Sequence, residues 1–130
     1  MNRSLIFAIA LLTGMSMTGP AFAAANDYVF EPVKTEIKKG DDVTVAVRLV
    51  HKPTGKPVTD AVIIQTRIDM APDGMAEMAS PLTALPNQEP GVYAFKTDIS
   101  MAGRWLLSIG AKVQGEPDTV IGKITFQAIR

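Results

Sequence analysis

The stretch Val43-Thr-Val-Ala-Val-Arg-Leu-Val50 alternates along its length. Side chains of a strand point to opposite faces in turn, so Val43, Val45, Val47 and Leu49 share one face, while Thr44 and Arg48 lie on the other. A strand of this kind is half of a structure, because its apolar face must be covered by a second layer. The pattern recurs down the chain. From Ala61 to Ile68 it places Val62, Ile64, Thr66 and Ile68 on one side and Gln65 and Arg67 on the other. Tyr93 and Phe95 face inward along Gly91 to Ile99, and Trp105, Leu107 and Ile109 do so along Arg104 to Val113. Val120, Ile124 and Phe126 close the series.

Turn formers separate these runs: Gly40-Asp41-Asp42, His51 to Pro57, Met101-Ala-Gly103 and Gly115-Glu-Pro-Asp118. Tyr28-Val-Phe30 could open the sheet, and a short edge strand could sit near Leu82 to Leu85. The rest of Asp69 to Pro90, with four prolines after Asp69 and three methionines, reads as an ordered loop over one end of the fold. The expectation is an all-β chain, an immunoglobulin-like antiparallel β-sandwich of about seven strands.

The first 23 residues have a different character. Arg3 precedes the apolar run Leu5 to Leu12, and the segment closes on Ala21-Phe22-Ala23. A cationic start, a short apolar core and a small-x-small end make a secretory signal peptide. The apolar run falls well short of the roughly 18–20 residues that span a bilayer. Residues 1–23 are therefore expected to be cleaved, leaving one domain over 24–130 that works in the periplasm.

Composition narrows the partners. The chain has 13 basic and 13 acidic residues; removing Arg3 leaves 12 against 13. No run of like charge exceeds two residues, so no concentrated positive face favours nucleic acid or an anionic membrane surface. There is no cysteine and a single histidine, His51. Thiolate nucleophiles and zinc-thiolate sites are excluded. Ser80, Ser100 and Ser108 lack a G-x-S-x-G context, and no Gly-rich phosphate loop opens a helix. The chain does not read as an enzyme.

The segment Asp69-Met70-Ala-Pro-Asp-Gly-Met75-Ala-Glu-Met78 gathers three thioethers, and Met101 lies in a second turn. Thioether sulfur suits Cu(I) and suits magnesium or calcium poorly. Pro72 and Gly74 would let the chain fold back, and Asp69, Asp73 and Glu77 would add a field favourable to a cation. The same methionines can instead be packing, since flexible thioethers fill irregular gaps in a core. His51, at a strand end before a Pro/Gly turn, reads either as a ligand or as an exposed turn histidine.

Three pieces in order, Ile68 to Met78, Gly91-Val-Tyr93 and Met101-Ala-Gly-Arg-Trp105-Leu-Leu-Ser-Ile109, resemble the FixH/YtkA-like domains over about Val43 to Phe126. The resemblance implies an exported or membrane-anchored β-sandwich with an accessory role in copper delivery to respiratory oxidases or in heavy-metal efflux. On that basis Met70, Met75 and Met78, with Met101 as a fourth, are expected to contact a soft cation such as Cu(I). Metal-efflux or oxidase-assembly envelope proteins would be the partners. The alternative is a binding module for an envelope protein or small organic ligand, with the methionines as loop packing.

Overall fold

The computed structural model describes residues 25–87 and 89–130. The segment expected to be a signal peptide, residues 1–23, lies outside the described residues. Ten strands are present among them: β1 (Tyr28–Pro32), β2 (Glu36–Lys38), β3 (Gly40–His51), β4 (Lys56–Pro57), β5 (Val62–Met70), β6 (Met75–Ser80), β7 (Leu82–Ala84), β8 (Val92–Ile99), β9 (Gly103–Lys112) and β10 (Val120–Ile129). Single 3-10 turns occupy Ala25–Asp27 and Ala71–Asp73.

The strands form two sheets. One runs β1-β3-β8-β7, with β4 added alongside β3; the other runs β2-β10-β9-β5-β6. Every pairing is antiparallel except that of β2 with β10, which is parallel. Inward-facing residues of both sheets meet in one core: Val45, Val47 and Leu49 from β3, Tyr93, Phe95 and Ile99 from β8, Trp105, Leu107 and Ile109 from β9, and Val120, Ile124 and Phe126 from β10. Trp105 and Phe126 are the largest fully buried side chains, and each large aromatic of this kind removes about 150–250 Å² from water. The β-sandwich expected from alternation is therefore the fold.

The count of about seven strands is corrected to ten. The additional strands are β2, β4 and β6, and each was hidden for a physical reason. Strands β2 and β4 are three and two residues long, too short to display a period. Strand β6, Met-Ala-Glu-Met-Ala-Ser, has low intrinsic strand preference. It lies at a sheet edge with no fully buried residue, so no apolar alternation marks it. What makes it a strand is pairing with β5, Ile68 opposite Ser80 and Asp69 opposite Ala79.

Two local expectations also change. Gly40 to Asp42 belong to the start of β3 rather than to a turn. The register shifts between Gly40 and Val43, Asp42 takes a left-handed φ of 51°, and its N–H donates to the Asp98 carboxylate at 3.0 Å. In β5 the expected apolar face is broken by a bulge: Ile63 pairs with Ala111 and Gln65 with Gly110, leaving Ile64 without an opposite number. An extra residue reverses the facing of everything beyond it. Val62 and Ile64 are accordingly exposed, whereas Ile63 packs on the core.

Candidate functional site

Two regions carry geometry beyond that of a plain sandwich. The first is a trough on the outer face of the β1-β3-β8-β7 sheet. Because Val45 and Val47 face the core, Thr44 and Ala46 face out; because Tyr93 and Phe95 face in, Val92 and Ala94 face out. Ala46 and Ala94 are direct partners across β3 and β8. The chain after β1 and the chain after β7 continue the ladder on either side, with Val33 N–H donating to Ala46 O at 3.0 Å and Leu85 N–H to Ala94 O at 2.9 Å. One row across the sheet therefore reads large, small, small, large: Val33, Ala46, Ala94, Leu85. Adjacent chains are about 4.8 Å apart, so two methyl groups make a floor between two apolar walls. The cavity is about 320 Å³, with Pro86 and Val92 completing the apolar lining and Glu89 contributing a carboxylate at the rim. Arg48 stands at the same end of this face, opposite both Val92 and Glu31 in register.

The second region is the corner where β5 turns into β6. Asp69 and Asp73 are not free to face a cation, because each is held by an arginine. Arg67 donates from Nε to Asp69 at 2.7 Å and from its terminal nitrogen to Ala76 O at 2.8 Å. The other Asp69 oxygen accepts the Ala71 N–H at 2.9 Å. Arg104 donates its backbone N–H to Asp73 at 2.8 Å, its Nε to the other Asp73 oxygen at 2.7 Å, and a terminal nitrogen to Pro72 O at 2.6 Å. Burial alone would raise the Asp69 carboxyl, but the Ala71 N–H and the Arg67 guanidinium outweigh it and hold the group below the usual carboxylate range. Asp73 is also held below that range, by hydrogen bonds from the Arg104 backbone and guanidinium. Glu77 is exposed on β6.

The four methionines occupy three different environments. Met70 ends β5 and is 1 % exposed, within the core. Met75 and Met78 are half-buried and pack against the core from the edge strand. Met70 and Met75 are register partners across the hairpin. Met101 is 37 % exposed and lines a separate cleft with Lys39, Gly40, Ala102 and Arg130. His51 is half-buried at the end of β3; its Nδ1 lies 2.8 Å from the Thr54 hydroxyl and its ring is 5.1 Å from that of Tyr28. Among the described residues, no three histidine or carboxylate side chains are gathered in a way that could hold a metal ion.

The short motifs after this segment have structural roles. Gly91, at φ +78°, lies so close to Pro57 that a Cβ would approach its side chain to 2.5 Å. Two residues on, the Tyr93 hydroxyl donates to Val58 O at 2.7 Å and accepts the Ala61 N–H at 3.1 Å, tying the β4–β5 connection to β8. Trp105 Nε1–H donates to Met101 O at 3.0 Å and closes the β8–β9 turn. Gly103, at φ +140°, leaves open a point 2.5 Å from Asp73 Oδ2 and 2.7 Å from Met70 Cε. A side chain there would displace both. The trough had no signature in sequence, since small residues at alternate positions become a floor only once register sets them side by side.

The sequence pattern of the family described as YtkA-like matches residues 22–110. The chain belongs to the YtkA-like family. No curated protein matches it. Among solved structures, the filamin domain of Lin-41 is similar, with 19 % identity, 78 % of this chain and 92 % of that one covered, and a TM-score of 0.46. The ZirS C-terminal domain is similar at 12 % identity, covering 100 % of this chain and 85 % of that one, with a TM-score of 0.46. No helix among the described residues of this YtkA-like chain is long and apolar enough to cross a membrane.

Proposed function

We propose that this YtkA-like chain is an exported periplasmic accessory domain that acts by binding, and that its ligand seat is the trough over Ala46 and Ala94. The observation that carries this reading is the large-small-small-large row, which leaves a cavity of about 320 Å³ on the sheet face. That volume lies at the lower end of the roughly 300–1,000 Å³ typical of small-molecule sites. The lining suits a small organic ligand with an apolar body, and Thr44 and Glu89 in that lining suit a polar group on it. The methionines at the β5–β6 corner are then packing. The test is binding of the apolar fluorophore anilinonaphthalene sulfonate to the folded chain and to Ala94→Trp, in which an indole fills the floor. Blue-shifted fluorescence in the parent that disappears in the variant supports the trough. Equal fluorescence in both removes it.

A second reading is transient carriage of a soft cation such as Cu(I), for hand-over to a metal-efflux or oxidase-assembly partner. It is favoured by Met75 and Met78 on an edge strand with the exposed Glu77 between them, and by the soft character of thioether donors. Met70 would join only if the corner opened, and Met101 only by bridging from its separate cleft. Titration of Cu(I) against a competing chelator decides it. If the Met75→Leu/Met78→Leu double variant competes as well as the parent, the corner is not a copper site.

A further inference from the structure

We infer that the Arg104–Asp73 clamp is a latch over Met70, and that Met70 is a concealed oxidation site whose sulfoxide holds the β5–β6 corner open. Met70 is buried to the same degree as the centre of the sandwich, yet the element that follows it is of another kind. The 3-10 turn Ala71–Asp73 buries none of its own residues, and Met70, at its N-cap, makes no side-chain capping bond. Polar bonds at the surface tie this turn down: Arg104 to Asp73 and to Pro72 O, Asp69 to Ala71 N–H, and Gly74 N–H to Ala71 O. The clamp pair is solvent-accessible, with side chains 54 % and 25 % exposed. Exposed ion pairs hold weakly, and segments fixed by few apolar contacts open below the free energy of global unfolding.

Gly103 sets the coupling between clamp and thioether. The space it vacates is bordered at once by Asp73 Oδ2 and by Met70 Cε. The carboxylate that Arg104 grips and the methyl of the thioether therefore share one side of β9. Releasing Asp73 would take away one of the two groups that border this space and would open it beside Met70.

Oxidation of the opened site is a two-electron oxygen transfer. The sulfur lone pair of Met70 attacks one oxygen of hydrogen peroxide, the O–O bond breaks, and the other oxygen leaves as water after proton transfer. Sulfur is oxidised and peroxide is reduced. The product is a polar, chiral sulfoxide in place of a flexible apolar group, and returning it to a dry core leaves its oxygen unpartnered, which is unfavourable. The corner thus stays open after the oxidant has gone.

The experiment is peroxide treatment of the folded chain with mass-spectrometric quantification of each methionine, in the parent, Arg104→Ala and Arg104→Lys. In the parent the rates fall in the order Met101, then Met75 and Met78, then Met70. In Arg104→Ala, Met70 oxidises about fivefold faster, as expected for the loss of an exposed ion pair and a hydrogen bond of modest net strength, and Arg104→Lys lies between because a point charge restores the pairing but not the fork. Amide exchange in the middle of β9, around Ile109, is measured in parallel and stays unchanged. An unaltered Met70 rate in Arg104→Ala overturns the latch. So does acceleration at Met70 matched by equal acceleration of exchange at Ile109, since global loosening would then be the cause.

Discussion

The trough and the corner sit on opposite sheets and are built by opposite means. The trough is made of backbone register: Ala46 faces Ala94 because β3 and β8 pair at that point, and its walls are held by the ladder bonds of Val33 and Leu85. Its floor belongs to the two central strands of that sheet. The corner is made of side chains, two arginines gripping two aspartates around a single 3-10 turn. Its shape lasts only while those polar bonds do. A sandwich can therefore present a fixed surface and an openable one on the same core, according to whether ladder or side chain does the holding.

The most forceful way to break this contrast is Met70→Ala. If Met70 is core on its sandwich side, truncation leaves a cavity and costs about 2–5 kcal/mol, measured by urea unfolding, whereas Met70→Leu costs less than about 1.5 kcal/mol. A loss near zero for Met70→Ala would mean that the corner already collapses or opens freely. Gly103→Ala comes next. Its Cβ would meet Asp73 and Met70 at φ +140°, so a loss exceeding about 1 kcal/mol is expected, with anilinonaphthalene sulfonate binding at the trough unchanged. A parallel loss of dye binding would show that the two regions are not independent.

Acid should separate them more gently. The Asp69 and Asp73 carboxyls titrate below their usual values, so both are deprotonated more readily in the folded chain than in the unfolded one. Their contribution is present in full above the unfolded carboxylate pKa of about 3.9 and is lost as pH falls through the lower folded values. Met70 oxidation should therefore be flat with pH near neutrality and should rise only in strong acid. The smallest expected effect is that of Arg67→Lys, which keeps the charge beside Asp69 while losing the second bond to Ala76 O; a change of about 1 kcal/mol or less in stability is anticipated.

Strands β3, β8, β9 and β10 were legible because each carries three or more large apolar residues at a period of two, and burial of that face leaves one arrangement. The same rule misplaced Val62 and Ile64, since a bulge is an event between two strands and leaves no mark in either alone. Asp69 to Ser80 read as a loop for the converse reason. Its proline and glycine are real punctuation, but they end a short turn within a hairpin, and the strand that follows is specified by its partner. Of the site residues, the methionines were visible as a cluster in sequence, while their division among core, edge and a separate cleft was not. Ala46, Ala94 and Val33 gave no signal at all.

Alternation along the chain, with its turn residues, determined that this is a β-sandwich around Trp105 and Phe126 and that it has neither thiol nor a histidine pair to work with. Those facts depend on the chemistry of neighbours in sequence. Where β5 bulges, which residues become a trough floor, and whether a thioether lies in the core or at the surface were decided by register and by contacts between distant segments, which only the assembled sheets contain.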